Sequence, residues 1–190
     1  GGWKNGPRHE ATGRFRTEKI DDRWWFVDPE GYLFFSAGAC IAGTEAMTPV
    51  TPNRIKEHYF EHLPTKGSPY YWLTMPTRGK KNYVNFPALN AAESLGNRWQ
   101  EISRNGIHDR MKIWGLNTLA AWSSTEIRQD KKTPYTLLAS IWWLTGKKTP
   151  SPFRDDYVKD LCKALENSSW AKDDPYCLGI FIGNEFEWPD

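Results

Sequence analysis

Helical and strand-like patterns alternate over the second half of this 190-residue chain. Helical spacing of apolar residues covers Asn97 to Trp114 and a second stretch after Ser151, and strand-like runs cover 116–122, 135–143 and 177–182. Strands that are separated by helices form parallel sheets, and the chemistry of such folds lies at the carboxyl ends of the strands. The alternation therefore predicts an α/β fold built on a parallel sheet.

Single residues predict where these elements begin and end. Gly115 predicts the end of the first helix, and Gly106 predicts a break inside it. Ser151 predicts the N-cap of the second helix, with Pro152 in its first helical position. The apolar run 177–182 is typical of a strand buried on both faces. The second helix is predicted to bury a stripe of five side chains, namely Tyr157, Val158, Leu161, Cys162 and Leu165.

Three shorter strand-like runs precede these elements, at 15–20, 23–27 and 32–36. The turn sequences Asp21-Asp22 and Asp28-Pro-Glu-Gly31 separate them, which predicts a β-meander. We therefore divide the chain into a meander, residues 1–36, and a second unit, residues 37–190. The small side chains at 36–43 suit close packing of the backbone inside a barrel or against a ligand.

Residues 44–95 are rich in Pro, Tyr, Lys and Asn, and their only helical spacing lies near Asn53 to Leu63. A long irregular segment inside a compact fold is usually a binding loop or a cap. We therefore predict that 44–95 is a loop insertion.

Composition narrows the function. Trp, Tyr and Phe make up 15% of the residues, with 11 Trp, a pattern that suits sugar binding because pyranose C–H faces stack on aromatic rings. Filling of a core is the alternative role for these rings.

The net charge is +2, from 25 basic and 23 acidic side chains, which argues against nucleic acid or a membrane surface as the partner. No run approaches the 18 to 20 or so apolar residues that cross a bilayer.

The run 177–182 leads directly into Gly183-Asn184-Glu185. Through the pair Asn184-Glu185 at the end of a strand, the chain resembles the clan A glycoside hydrolases, of agarase-like and β-galactosidase-like type. The segments 23–36 and 114–123 resemble the entry to the first barrel strand and the second barrel strand of that family, and 174–185 resembles its fourth strand. The match runs in order from Phe15 to Glu185, with 44–95 poorly matched.

The resemblance implies a retaining hydrolase of β-linked galactose-type polysaccharide on a (β/α)₈ TIM barrel, without a cofactor or a metal. Glu185 would be the general acid/base, and Asn184 would bind the 2-hydroxyl of the sugar. Glu187 is a competing candidate for the acid, and an ion pair between Glu185 and an Arg is the structural alternative. Further substrate-binding candidates are Asn117, Trp122, Trp142, Trp143 and Trp188.

One expected catalytic group has no match. Retaining enzymes of this kind need a second carboxylate about 5 to 5.5 Å from the first, and the family places this nucleophile after the seventh barrel strand. The sequence predicts only strands one to four, whereas a whole barrel takes about 250 residues. We therefore expect the N-terminal half of a barrel, preceded by the meander. Its expected partners are a carbohydrate substrate and either the C-terminal half or a second copy of the chain.

Two other functions fit parts of the sequence. A non-catalytic carbohydrate-binding fragment would use Trp122, Trp142, Trp143 and Trp188 as stacking platforms. A zinc peptidase would use His58-Tyr-Phe-Glu61-His62, which fits the H-x-x-E-H pattern of inverted zincins. On a helix, the two histidines would lie one turn apart, with Glu61 as the base.

Overall fold

The computed structural model describes residues 1–44, 48–49, 59–77, 81–139, 151 and 153–185. The strands there are β1 (Arg16–Ile20), β2 (Arg23–Val27), β3 (Leu33–Phe34), β4 (Gly38–Ala39), β5 (Thr48–Pro49), β6 (Thr74–Thr77), β7 (Lys81–Val84), β8 (Thr118–Leu119), β9 (Tyr135–Ala139) and β10 (Cys177–Ile182). The α-helices are α1 (Phe86–Leu95), α2 (Trp99–Ile113), α3 (Thr125–Gln129) and α4 (Tyr157–Glu166). Within these ranges, no helix combines the length and the apolar character needed to cross a membrane.

The first sheet has the antiparallel order β1-β2-β3, which confirms the predicted meander strands. Asp21 and Asp22 have φ values of 48° and 62°, as a two-residue type I′ hairpin turn requires. The second turn is held by Asp28, whose buried carboxylate accepts hydrogen bonds from the backbone N–H groups of Glu30 and Tyr32 at 3.0 and 2.9 Å. The local sequence alone therefore accounts for this sheet.

The segment 44–95 is more regular than its sequence predicts. Its described part contains the antiparallel sheet β5-β7-β6 and helix α1, so the prediction of an irregular loop is wrong there. Asn85 caps α1 by accepting the N–H of Ala88 at 3.0 Å. The helix packs its Ala and Leu side chains on a small core of its own, which comprises Leu73, Val84, Ala88, Leu89, Ala92 and Trp99. The strands are too short for periodicity to reveal them.

The helix predicted near Asn53 to Leu63 is absent where it can be checked. Tyr59 lies in a 3-10 turn, and residues 60–63 adopt no helix. Residues 53–58 lie outside the described part of the chain.

The central sheet is parallel, as predicted, with the order β10-β9-β8-β4. Neighbouring strands in this sheet follow one another in the chain, so β4 lies at one edge and β10 at the other. At Gly38 of β4, an added Cβ would lie 2.5 Å from the carbonyl oxygen of Thr118 in β8. The small residue predicted to allow close backbone packing therefore does so between these two strands.

The two faces of the sheet have different surroundings. One face packs on the helices through Leu119, Tyr135 and Leu137, which share a core with Met111 and Ile127. Thr136 and Leu138 alternate with these residues and therefore point to the opposite face. Phe181 pairs with Leu138 and shares its face, where it is 56% exposed. This opposite face is called the open face below.

The prediction that 177–182 is buried on both faces is wrong. Ile180, Phe181 and Ile182 are all exposed, and β10 is an edge strand, paired on one side only within the described sheet. An apolar run therefore predicted the strand correctly but not its surroundings.

Helix α2 passes through Gly106 without a break, so that prediction is wrong, whereas the predicted end at Gly115 is confirmed. Gly115 has a φ of 71°, and its N–H donates to the carbonyl of Lys112 at 3.2 Å. The N–H of Leu116 donates to the carbonyl of Met111 at 2.8 Å. These two bonds form a Schellman motif, in which glycine supplies the left-handed residue.

Helix α4 begins later than predicted, at Tyr157 rather than at Ser151. Ser151 instead opens a turn, in which its carbonyl accepts the N–H of Arg154 at 3.2 Å; Pro152 lies outside the described residues. Arg154 forms ion pairs with Asp156 and Asp160, which hold this turn against the helix start. The predicted buried stripe is also wrong, since Val158 and Cys162 are exposed, and Tyr157, Leu161 and Leu165 are half-buried.

A buried polar cluster joins α2 to the segment between α3 and β9. His108 is 2% exposed; its Nδ1 lies 2.9 Å from the hydroxyl of Thr133, and its Nε2 lies 3.2 Å from Asp130 Oδ2. Arg104 Nε donates to the same Asp130 oxygen at 2.6 Å, and a second guanidinium nitrogen binds the other oxygen. Burial is the main reason that the pKa of His108 is lowered, against the opposing effect of Asp130. The hydrogen bond from Arg104 is the main reason that the pKa of Asp130 is lowered.

A second buried contact fixes the start of β10. The Tyr135 hydroxyl donates to Asp174 Oδ2 at 3.1 Å, while Asp174 Oδ1 accepts the N–H of Tyr176 at 3.0 Å. Lys131 Nζ lies 3.8 Å from the same Asp174 oxygen that Tyr135 binds. Burial, followed by the charge of Asp174, raises the pKa of Tyr135. The hydroxyl therefore stays protonated and acts as the donor.

The His108 cluster predicts acid sensitivity. A lowered folded-state pKa means that the unfolded chain binds more protons, so the stabilisation is fully present above the unfolded pKa of about 6.5 and is lost as pH falls below it. Asp130 adds a loss of the same sign only below its own unfolded pKa of about 3.9. We expect the free energy of unfolding, from urea titrations followed by tryptophan fluorescence, to fall between about pH 7 and pH 5.5. His108→Gln should reduce that slope.

His62→Gln is the matched control, because the side chain of His62 is 89% exposed. It should leave the wild-type slope unchanged. Equal slopes for wild type and His108→Gln would exclude His108 as the titrating group.

Tyr135→Phe should lower the free energy of unfolding by about 1 to 3 kcal/mol, the usual loss when a buried charged acceptor loses a donor. Tyr71→Phe, at an exposed tyrosine, should change it by less than about 0.5 kcal/mol. Denaturant titration of both variants is the measurement. A Tyr135→Phe variant as stable as the control would mean that Lys131 and the Tyr176 N–H are sufficient for Asp174.

Candidate functional site

The carboxyl ends of the parallel strands form one edge of the central sheet, here called the carboxyl edge. Its described residues are 40–44 after β4, 120–124 after β8 and 183–185 after β10. The residues that follow β9 lie outside the described part. Because neighbouring strands are about 4.8 Å apart, the ends of β8 and β10, two strands apart, are separated by about 10 Å.

The segments after β4 and β8 stay joined beyond the end of their strand pairing. The N–H of Ile41 donates to the carbonyl of Ala121 at 3.0 Å, and the N–H of Ser124 donates to the carbonyl of Ala42 at 3.0 Å. The Ser123 hydroxyl accepts the N–H of Ala42 at 3.2 Å and donates to the carbonyl of Ala120 at 2.7 Å. These bonds hold the loop that presents Trp122.

Trp122 is 51% exposed at this edge, although a ring of its size is usually buried. The backbone on both sides of it is fixed by the loop bonds just described. An exposed indole on a fixed loop is suited to stacking on a flat apolar ligand face.

Asn184 and Glu185 occupy the same edge, at the end of β10. The N–H of Gly183 donates to the carbonyl of Ala139 at 2.9 Å, which extends the pairing of β10 with β9 by one residue. Asn184 and Glu185 follow immediately, and both are exposed. Within 1–44, 59–77, 81–139 and 153–185, no ion pair involves Glu185. An ion pair between Glu185 and an Arg, the structural alternative to a catalytic role, is therefore not found in these ranges.

Left-handed backbone conformations recur along the carboxyl edge. Ile41 after β4, Trp122 after β8 and Glu185 after β10 have φ values of 55°, 59° and 50°. Such values are unfavourable for residues other than glycine and are rare for a β-branched or bulky residue. Strained residues of this kind concentrate at functional sites, where the surrounding structure holds them in place.

The remaining sequence-predicted site residues do not join this group. Asn117 lies just before β8, at the opposite end of that strand. Its side chain accepts the N–H of Ala37 at 2.9 Å and donates to the carbonyl of Phe35 at 2.8 Å. Asn117 therefore ties β8 to the approach to β4. Trp142, Trp143 and Trp188, together with Glu187, lie outside the described residues.

The zinc hypothesis gains no support from the geometry. His58 lies outside the described residues, and Glu61 and His62 are exposed on a non-helical segment. Among the described residues, no three His, Cys, Asp or Glu side chains lie close enough together to hold a metal ion.

Ser123 and Ser124 have roles that the sequence predictions missed. Ser123 carries the loop bonds given above, and Ser124 caps α3 by accepting the N–H of Ile127 at 3.4 Å. Serine is a favoured N-cap residue, and an acidic side chain in the first turn, here Glu126, suits the start of a helix. The five-residue helix that it opens was too short for periodicity to mark.

Comparison with known proteins identifies relatives over nearly the whole chain. No protein-family model matches. Beta-agarase B of Vibrio sp. (strain JT0107) is 27% identical over 99% of this chain and 24% of its own length. Beta-agarase A of the same strain is 25% identical over 88% of this chain and 19% of its own length.

Solved structures agree with these sequence matches. The agarase AgWH50C has a TM-score of 0.82 and 27% identity, covering 99% of this chain and 31% of its own. PfGH50B has a TM-score of 0.81 and 25% identity, covering 97% of this chain and 31% of its own. The chain thus spans a quarter or less of the curated relatives and about a third of the solved chains. It is a mixed α/β segment with the fold of the corresponding part of these solved structures.

Proposed function

We propose that this chain is the N-terminal half of the catalytic barrel of a retaining glycoside hydrolase that cleaves β-linked galactose polysaccharide. Glu185 is its general acid/base. The carrying observation is the pairing of β10 with β9, which brings Asn184 and Glu185 to the carboxyl edge, two strands away from β8, whose loop holds Trp122. The similarity to two beta-agarases supports the substrate class.

The strand order supports a barrel rather than an open doubly wound sheet. In β4-β8-β9-β10, each strand lies beside the next strand of the same sheet along the sequence. A (β/α)₈ barrel has this order throughout, whereas a doubly wound sheet reverses direction at a switch point. The open face would line the barrel interior, which would cover Leu138 and the exposed ring of Phe181.

The three residues at the carboxyl edge have complementary roles in this proposal. Glu185 donates its proton to the glycosidic oxygen as the C–O bond breaks, and the nucleophile from the other half of the barrel forms a glycosyl-enzyme ester. Glu185, now ionised, takes a proton from the water that hydrolyses the ester. Asn184 holds the 2-hydroxyl, a contact that strengthens in the transition state. Trp122 stacks on the face of a neighbouring sugar unit.

The exposed apolar edge of β10 supports the proposal of a partner half. An edge strand carries unpaired backbone groups and readily pairs with another strand. Ile180, Phe181 and Ile182 add apolar surface to this edge. In the whole barrel, the fifth strand would lie here.

In the assembled enzyme, Glu185→Gln should lower kcat on the polysaccharide by roughly 10² to 10⁴, because it removes the proton donor while keeping the side-chain size. Hydrolysis of an activated aryl β-galactoside should lose much less in its first step, since a good leaving group needs little protonation. Glu166→Gln, an exposed residue at the end of α4, is the control and should keep wild-type rates. A Glu185→Gln variant with the wild-type rate on polysaccharide would exclude Glu185 as the acid.

The 190-residue chain alone should not hydrolyse aryl β-galactosides, and it should self-associate as its concentration rises. Ile180→Lys, which places a charge on the edge strand, should reduce the association. Val158→Lys adds the same charge on exposed α4 and should not. Sedimentation velocity and a chromogenic assay are the measurements. A monomer that turns over substrate would contradict the half-barrel and would require a nucleophile within this chain.

A further inference from the structure

We infer that the helical side of this chain carries a second saccharide-binding site, which adjoins the carboxyl edge. The site is a groove of about 770 Å³ between α1, the first half of α2 and α3, called the helical groove below. A volume of 300 to 1,000 Å³ is usual for sites that bind small ligands. The choice of a galactose-type saccharide as the ligand rests on the proposed function. The aromatic and polar lining of the groove favours a saccharide independently of that function.

Two tryptophans give the helical groove a fixed aromatic platform. Trp72 is 58% exposed, and its ring centroid lies 6.1 Å from that of Trp99, which is only 9% exposed. Trp99 belongs to the core beneath α1, so it supports the outer ring from below. Trp72 also lies in a 3-10 turn, between Tyr71 and Leu73. The carbonyl of Tyr71 accepts the hydroxyl of Thr74 at 2.6 Å, and Leu73 is buried.

The polar lining suits a neutral ligand rather than an ionic one. The charged side chains that line the groove are largely paired with one another: Arg98 binds Glu101 at 3.0 Å, and Arg104 binds Asp130. Asn97, Gln100 and Ser103 add uncharged donors and acceptors along the same wall. In the described part of the chain, the amides of Asn97 and Gln100 have no hydrogen-bond partner. An aromatic platform with neutral amides beside it matches a pyranose, which offers an apolar C–H face and a ring of hydroxyls.

The helical groove adjoins the carboxyl edge and shares two residues with it. These are Ser124, which follows Trp122 by two residues, and Thr44, the last described residue after β4. The two sites therefore meet near the loop after β8. A polysaccharide chain could therefore span the helical groove and the carboxyl edge, with one part of the chain bound at each. For this reason, we expect the ligand of the groove to be a polymer or a long oligosaccharide.

The test is binding of agarose-derived oligosaccharides and of agarose itself to this chain, measured by calorimetry and by affinity electrophoresis. Trp72→Ala should weaken the affinity by at least about tenfold, as the loss of a central aromatic anchor usually does. Trp114→Ala removes an equally exposed tryptophan at the far end of α2 and should have no effect. Glu185→Gln, which alters the carboxyl edge alone, should leave the groove affinity in place.

Each result decides the matter. Wild-type affinity in Trp72→Ala, equal losses in Trp72→Ala and Trp114→Ala, or no binding by the wild-type chain would overturn the helical groove as a site. Loss of binding in Glu185→Gln with full binding in Trp72→Ala would support the proposed function and overturn the groove. If Trp72→Ala does not fold, as judged by its urea transition, the exposed Gln100→Ala replaces it and should still weaken binding measurably.

Discussion

The parallel pairing of β10 with β9 is the contact on which the candidate site depends. Glu185 belongs to no regular element, and its position is set by the register of the strand before it and by the last hydrogen bond at Gly183. At the other end of β10, Asp174 binds the Tyr135 hydroxyl and the Tyr176 N–H, which anchors the start of the strand beside β9. The register shifts between Cys177 and Gly179, so the position of the carboxylate also depends on the pairing of Gly179 to Ile182 with β9.

The helical layer holds this sheet through two kinds of contact. Leu119, Tyr135 and Leu137 supply apolar area against α2 and α3, which stabilises the layer without fixing a single arrangement. The His108, Asp130 and Arg104 cluster adds directional bonds that are satisfied in one register of α2 only. Helix α2 also forms a wall of the helical groove, which Trp72 lines. The position of α2 therefore affects the groove as well as the sheet.

The sequence predicted those parts of the fold that depend on local chemistry. The meander turns follow from Asp21-Asp22 and Asp28, the end of α2 follows from Gly115, and the parallel sheet follows from alternating patterns. The burial of β10 and of α4 was mispredicted, because an apolar pattern predicts an element but not what covers it. The sheet and helix within 44–95 were missed because the strands are short and the core is local. The places of Glu185 and Trp122 at the ends of strands could be predicted from the sequence, whereas the role of Asn117 in joining β4 to β8 depends on a contact about 80 residues away in the chain.

The left-handed backbone at Trp122 and Glu185 also bears on how this chain tolerates change. Each residue has a conformation that costs about 1 kcal/mol or more for a side chain with a Cβ, and glycine would relieve that cost. Selection for stability alone would therefore favour glycine at the two positions that the proposed chemistry most needs. A design procedure that ranks substitutions by folding free energy would remove the site first, so these two positions need to be held constant in any thermostabilised version of the chain.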